Sequence, residues 1–213
     1  MNTPIYDFLK SYMEKSGLRL HMPGHKGRGF SPLIPYGMDI TEISGADSLF
    51  EADGIIAQSE ENASEIVRTC YSAGGSTLCI QAMLAMMKQE NRNVIAVRNV
   101  HRSFIAGCVL LGIEPQWIYP EYSCGILSGE IPLDRLEKML SETENACVYL
   151  TSPDYMGKTA DIKTISEMCR KYGAVLLVDN AHGAHSVFTG CHPIALGADM
   201  CCDSAHKMLP ALT

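Results

Sequence analysis

Lys207 follows closely on a short hydrophobic run, Asp199 to Cys202. A lysine has an ordinary pKa of about 10.4, and burial disfavours its charged form. One chemical use removes that difficulty: an imine with an aldehyde cofactor. Asp179 closes the most apolar run of the chain, "AVLLVD". A carboxylate at that place needs a cationic partner or strong hydrogen bonds, or else it caps a helix. Gly74-Gly75-Ser76-Thr77 opens a helical segment. Glycines let backbone N–H groups approach an anion, the hydroxyls add donors, and a helix N-terminus favours negative charge; a glycine turn with a hydroxyl cap is the structural alternative. No lysine follows as it would in a Walker loop. His101 stands just after "VIAVRN", where a lone histidine is usually structural. His182 and His185 lie three apart, but no acidic or thiol residue has a spacing that completes a ligand set, so no metal is expected. In "LHMPGHKGRG", Pro23-Gly24 keeps His21 and His25 off a common helical face, so this pair gives no zinc motif either.

The elements that must hold these residues are legible in the same sequence. Thr3 before Pro4 predicts a capped helix start, with Ile5, Phe8, Leu9 and Tyr12 on one face and an end at Gly17. Leu18 to Asp53 is rich in Gly and Pro and reads as an extended arm, and Asp53 to Cys70 is helical by pattern, with Ile55, Ile56, Ala63, Ile66 and Val67 on one side. A second helix follows "GGST". Then short apolar runs at 94–97, 116–119, 146–150 and 174–179 predict buried strands. Helical segments at 103–111, 133–143 and 162–172 alternate with them, with entrances at Pro132-Leu133-Asp134 and Asp161-Ile162. Strands alternating with helices mean a mainly parallel sheet covered on both faces, a three-layer α/β/α domain. The division expected is an N-terminal helix and arm, 1–52, and a large domain, 53–213.

Bulk properties narrow the function classes. The 213 residues are 46% hydrophobic and 19% charged, an ordinary globular composition. A net charge of −7 without a basic cluster argues against nucleic acid as a partner. Nine cysteines include no Cys-x-x-Cys pair, and Cys79, Cys108, Cys147 and Cys169 fall in apolar runs, which fits a reduced, cytoplasmic protein. The N-terminus lacks an apolar signal core, and no segment approaches the roughly 18 apolar residues of a membrane span. "HKMLPALT" ends in a polar turn, so the chain is expected to be the N-terminal part of a longer protein.

In open parallel sheets ligands bind beyond the carboxyl ends of the strands, and that rule brings the four places together. An anion cradle, an aromatic ring, a strand-end carboxylate and a lysine form the inventory for pyridoxal 5'-phosphate. The sequence also resembles the Orn/Lys/Arg decarboxylases of bacteria, within the aspartate-aminotransferase-like fold of pyridoxal phosphate enzymes. The marks, in family order, are "LHMPGHKG", "DITEISGADSLFEADGIIAQSE", "GGST", "RNVHRS", "TSPDYMG", "VDNAHGAH" and "SAHKMLPALT".

The resemblance implies Lys207 as the cofactor-bound lysine and Asp179 as partner of the pyridine nitrogen. It implies His101 stacked on the ring, Ala181 on its other face, and His182 near the phenolic oxygen or the substrate. Gly75, Ser76 and Thr77, with Ser204 and His206, would hold the phosphate. Ala205 stands where relatives often have Thr, and Cys79-Ile80 where some have Gly and Asn. "HMPGHKG" would be the family's entry loop, with no catalytic step for its histidines. The implied activity is decarboxylation of lysine, arginine or ornithine by a homodimer or larger homo-oligomer. An aminotransferase or another lyase of the same fold, an inactive truncated chain, and a metal hydrolase using His182 and His185 are the alternatives.

Overall fold

The apolar runs assemble into one parallel sheet. The computed structural model describes residues 2–15, 17–63, 68–122 and 129–211. They fall into two units, 1–71 and 72–213.

In the first unit, helix α1 spans Pro4–Glu14 and helix α2 spans Ile55–Ala63. The two pack against each other, so the division falls after Tyr71 and not after Ala52. Thr3 precedes α1 but its side chain caps nothing; its backbone N–H donates instead to the Asp7 carboxylate at 3.2 Å. The helix ends at Glu14, before Gly17. The described residues between α1 and α2 are irregular apart from a 3-10 turn at Tyr36–Met38. Asp47 has φ 69°, and its carboxylate accepts N–H bonds from Ser48, Asp53, Gly54, Ile56 and Ala57. It thereby satisfies donors that the first turn of α2 leaves open. Residues 68–72 are not helical, because the Glu60 carboxylate takes the Tyr71 N–H and holds the chain alongside α2. Ile66 and Val67 lie outside the described residues. His21 is bonded to the Tyr12 hydroxyl, and His25 to Asp39 with its ring against Tyr36.

The second unit runs α3 (Gly75–Gln89), β1 (Asn93–Val97), α4 (Arg102–Leu111), β2 (Gln116–Ile118), α5 (Leu133–Glu142), β3 (Ala146–Thr151), α6 (Ile162–Lys171), β4 (Val175–Asn180), β5 (Met200–Asp203) and α7 (Ala205–Met208). The strands lie in the order β2-β1-β3-β4-β5, and every pairing is parallel. Side chains alternate between the two faces, as strand geometry requires. Val148, Leu150, Leu176 and Val178 meet Leu136 and Leu140 of α5 and Ile162, Ile165 and Cys169 of α6. Cys147, Tyr149 and Leu177 meet Ile80, Leu84 and Met87 of α3 and Phe104 and Cys108 of α4. Each such fully buried large side chain contributes roughly 1.5–3 kcal/mol.

The helix ends follow local chemistry. Asp161 accepts the Thr164 N–H at the start of α6. At the other end of α4, Gly112 takes the left-handed conformation (φ 62°) that a side chain would resist. Register then sets the site. Thr151 pairs with Asp179 and Asp179 with Cys202, which places the carboxyl ends of β3, β4 and β5 side by side.

Candidate active site

Asp179 is the buried charge around which the cleft is built. It is 2% exposed, and its neighbours are all neutral donors. The Ala181 N–H donates at 3.2 Å, the Tyr149 hydroxyl at 3.4 Å and the Cys202 thiol at 3.6 Å. Alternation along β3 and β5 supplies the last two, since Tyr149 and Cys202 lie on the α3 and α4 face. Burial, reinforced by the Asp179 carboxylate, pushes both the Tyr149 phenol and the Cys202 thiol above their ordinary ranges. Both therefore stay protonated and serve as fixed donors. Asp179 caps no helix, and no cationic side chain bonds to it among the described residues.

His101 is the N-cap of α4. Its Nδ1 accepts the Ser103 N–H at 3.2 Å and lies 2.7 Å from the Ser103 hydroxyl. Ser103 in turn lies 2.8 Å from the Thr77 hydroxyl. Because Nδ1 accepts an amide proton, the neutral ring carries its own proton on Nε2. Thr77 is thus committed to the bond that orients the histidine.

Lys207 lies on α7, which packs against the 3-10 turn Ala184–Thr189. Its side chain is exposed, which corrects the expectation of a buried lysine: three residues separate it from the strand end, and the short helix carries it to the rim. Its Nζ lies 3.4 Å from Nε2 of His182. The His182 ring meets Tyr155 edge-on, with centroids 5.0 Å apart. Burial first, then the nearby Lys207 charge, lowers the pKa of His182, with Asp179 opposing. The neutral imidazole accepts a hydrogen bond from the lysine at Nε2.

Six expected residues, Ser76, His101, Asp179, Ala181, His182 and Lys207, line one cleft of about 260 Å³. Thr151 and Tyr155 line it too; both belong to "TSPDYMG", yet neither was assigned a role from the sequence. Gly75, Thr77, Ser204 and His206 do not line it. A larger hollow, about 630 Å³, adjoins Thr151 on the side of Val97 and Arg98 and contains neither Asp179 nor Lys207. Lys158 lines that hollow and is paired with Glu130. His185 is exposed, and neither it nor His182 belongs to a group of ligating side chains among the described residues.

The donor set suits a phosphorylated pyridine. Helix α3 begins with Gly75 at φ 66°, where added volume would meet nothing within 4 Å, and no side chain caps that end. Its first turn therefore has N–H groups to offer an anion. The hydroxyls of Thr151 and Ser204 are buried without a hydrogen-bond partner among the described residues, an arrangement that is costly unless a ligand supplies one.

Comparison with known proteins gives concordant relatives. The family model "Orn/Lys/Arg decarboxylase, major domain" matches residues 3–213. An arginine decarboxylase of Bacillus subtilis is 32% identical over 99% of this chain and 46% of its own length. The Bacillus subtilis protein YaaO is 31% identical over 100% of this chain and 48% of its own length. The chain thus spans about half the length of the curated relatives it matches. A NifS-like protein from Rickettsia africae has the same fold, with a TM-score of 0.56 and 18% identity over 97% of this chain and 51% of that one.

Proposed function

Since the chain belongs to the Orn/Lys/Arg decarboxylase family, we propose that the protein decarboxylates a basic amino acid, lysine, arginine or ornithine, with pyridoxal 5'-phosphate as its cofactor. The observation that carries this reading is the convergence of Ser76, His101, Asp179, Ala181, His182 and Lys207 on one cleft. When bound, the cofactor supplies an electron sink for the bond broken at the substrate's Cα.

The chain's own residues do the rest. The Asp179 carboxylate, held by three neutral donors, keeps a proton on the cofactor's ring nitrogen. His101 and Ala181, both lining the cleft, would flank the cofactor's ring, and the Thr77–Ser103 pair holds the imidazole. Ser76, Ser204 and the N–H groups of the α3 N-terminus would bind the phosphate, with Gly75 and His206 assisting. Thr77 enters as a positioning residue. Lys207 supplies the amine that holds the cofactor. Lys207 and His182, 3.4 Å apart, are the pair able to return a proton to Cα once carbon dioxide has left. With a depressed pKa, His182 accepts a proton from Lys207 reluctantly, so the lysine stays the donor.

The same family reading makes a cytoplasmic homodimer the expected setting; no helix among the described residues is long and apolar enough to cross a membrane. The test is product analysis. The intact protein, given the cofactor and each of the three amino acids, should release carbon dioxide and the matching amine. Transfer of the amino group to a 2-oxo acid without carbon dioxide would sink the proposal.

A further inference from the structure

On the far side of β5 from the cleft, His192, Cys201 and Asp203 meet. Their separations are 3.1 Å from His192 Nε2 to Asp203 Oδ2, 3.7 Å from Cys201 Sγ to His192 Nε2, and 3.6 Å from Cys201 Sγ to Asp203 Oδ2. We propose that these three side chains bind a divalent cation of the zinc class.

The triangle has the right size. With zinc–sulfur bonds of about 2.3 Å and zinc–nitrogen and zinc–oxygen bonds of about 2.0 Å, tetrahedral vertices lie about 3.3 Å apart for nitrogen and oxygen and about 3.5 Å apart for sulfur with either. Each observed edge is within about 0.2 Å of those values, so a cation could enter with little rearrangement. The donor chemistry agrees. Thiolate, imidazole and carboxylate together suit a borderline-soft ion and disfavour magnesium or calcium. A thiolate and a carboxylate also neutralise a double positive charge at this partly covered place.

The supports are built in. Cys201 and Asp203 are two apart on β5, so they project from the same face, and Cys201 packs against the α5 and α6 core. The second Asp203 oxygen accepts the Asn180 side-chain N–H at 2.5 Å, an outer bond of the kind that orients a ligating carboxylate. His192 and Asp203 side chains are 16% and 36% exposed, which leaves a fourth vertex for water. The competing arrangement is a His192–Asp203 ion pair with a neutral thiol beside it. The sequence hid this site because His192 comes from the loop before β5 and stands nine positions from Cys201, outside any ligand spacing a helix or knuckle would show. An ion there would tie β4, through Asn180, to β5, which carries Ser204 and Lys207 onward.

Cobalt titration of the intact, chelator-stripped protein separates the two arrangements. Wild type should saturate at one cobalt in this site, with an intense visible band of a tetrahedral centre and a near-ultraviolet thiolate-to-cobalt band. Cys201→Ser should lose the near-ultraviolet band, and His192→Gln should weaken binding at least about tenfold, as loss of even an outer-shell partner commonly does. Cys191→Ser, which alters an exposed thiol next to His192, should change neither. Circular dichroism verifies the fold of each variant, and X-ray absorption on the wild type should count one sulfur ligand even if a variant fails to fold. Absence of the thiolate band in wild type, its persistence in folded Cys201→Ser, or a sulfur-free cobalt shell would overturn the site.

Discussion

Asp179→Asn separates a catalytic carboxylate from a structural one, because the structure predicts opposite sizes for its two effects. In the folded protein the carboxylate accepts three bonds at 3.2, 3.4 and 3.6 Å. All three are long for charge-assisted bonds, so the extra strength due to the charge is at the low end, about 0.5 kcal/mol for each. The amide keeps Oδ1 for the Ala181 N–H and the Cys202 thiol, and its NH₂ group faces the Tyr149 hydroxyl, which can rotate to accept. About 1.5 kcal/mol of charge assistance is lost, while relief from holding a charge in a site 2% exposed is worth a comparable amount. The net change should stay within about 1 kcal/mol, or about 2–4 °C in Tm for a domain of this size. Turnover should fall about a hundredfold or more, since a neutral amide cannot hold the ring nitrogen protonated. The assay pairs thermal unfolding of the cofactor-free protein with carbon dioxide release by the loaded one. A Tm drop beyond about 8 °C would make the carboxylate a structural member. Turnover near that of wild type would remove its catalytic role.

Three further outcomes can be checked. Borohydride added to the protein with pyridoxal phosphate should fix the cofactor on the peptide carrying His206-Lys207, and Lys207→Ala should abolish that adduct; fixation at Lys158, which is paired with Glu130, would refute the assignment. In Gly183→Ala the new Cβ would lie 2.1 Å from Asn180 Oδ1 and 2.6 Å from Pro153 Cδ. A destabilisation of about 1–3 kcal/mol is expected from this overpacking, visible as a lower urea midpoint, and an unchanged midpoint would show that Asn180 gives way freely. Burial raises the Asp47 pKa, but N–H bonds from Asp53, Ser48, Gly54 and Ile56 outweigh it and hold the carboxyl well below its usual range. With the folded value depressed, the contribution of Asp47 to stability is fully present above about pH 3.9 and is lost progressively as pH falls from there through the depressed folded value. Asp47→Asn should therefore flatten the acid limb of the stability curve, and an acid limb identical to wild type would count against the capping role.

Where periodicity and short-range chemistry decide the structure, the sequence was informative. The runs at 94–97, 146–150 and 174–179 needed only to be recognised as too short and too apolar for surface helices, and each became a strand within a residue or two. Asp161 capped α6 because its partner, the Thr164 N–H, is three residues away. Long-range partners were harder to read. The Thr77 hydroxyl is held by Ser103, 26 residues on, so its positioning role could not be seen from the glycine-rich turn alone. Tyr149 looked like core and is core, yet its hydroxyl reaches Asp179; the two-residue alternation along β3 and β4 would have put both on one face. The exposure of Lys207 was not legible because the apolar run at 199–202 announces the strand and not the short helix after it. Asp47 lay inside a quoted motif, but its five N–H donors come from the loop after it and from the first turn of α2, six to ten residues on for all but Ser48, a meeting no pattern announces.

The cleft also constrains when it can exist. Ser76 stands before β1, Lys207 after β5, and the other lining residues come from the ends of β1, β3 and β4. No contiguous half of the sheet contains the set. During synthesis, Ser76, His101, Thr151 and Asp179 all leave the ribosome before Lys207, so a cofactor held on the lysine would be captured only after the five strands described have been made. Strand β1 lies between β2 and β3, so its second edge is filled only once β3, later in the sequence, has been made. Long-range parallel pairing of this kind is slow. Uptake of the cofactor would therefore report that these five strands have assembled, and such a ligand would stabilise only chains in which they are in place.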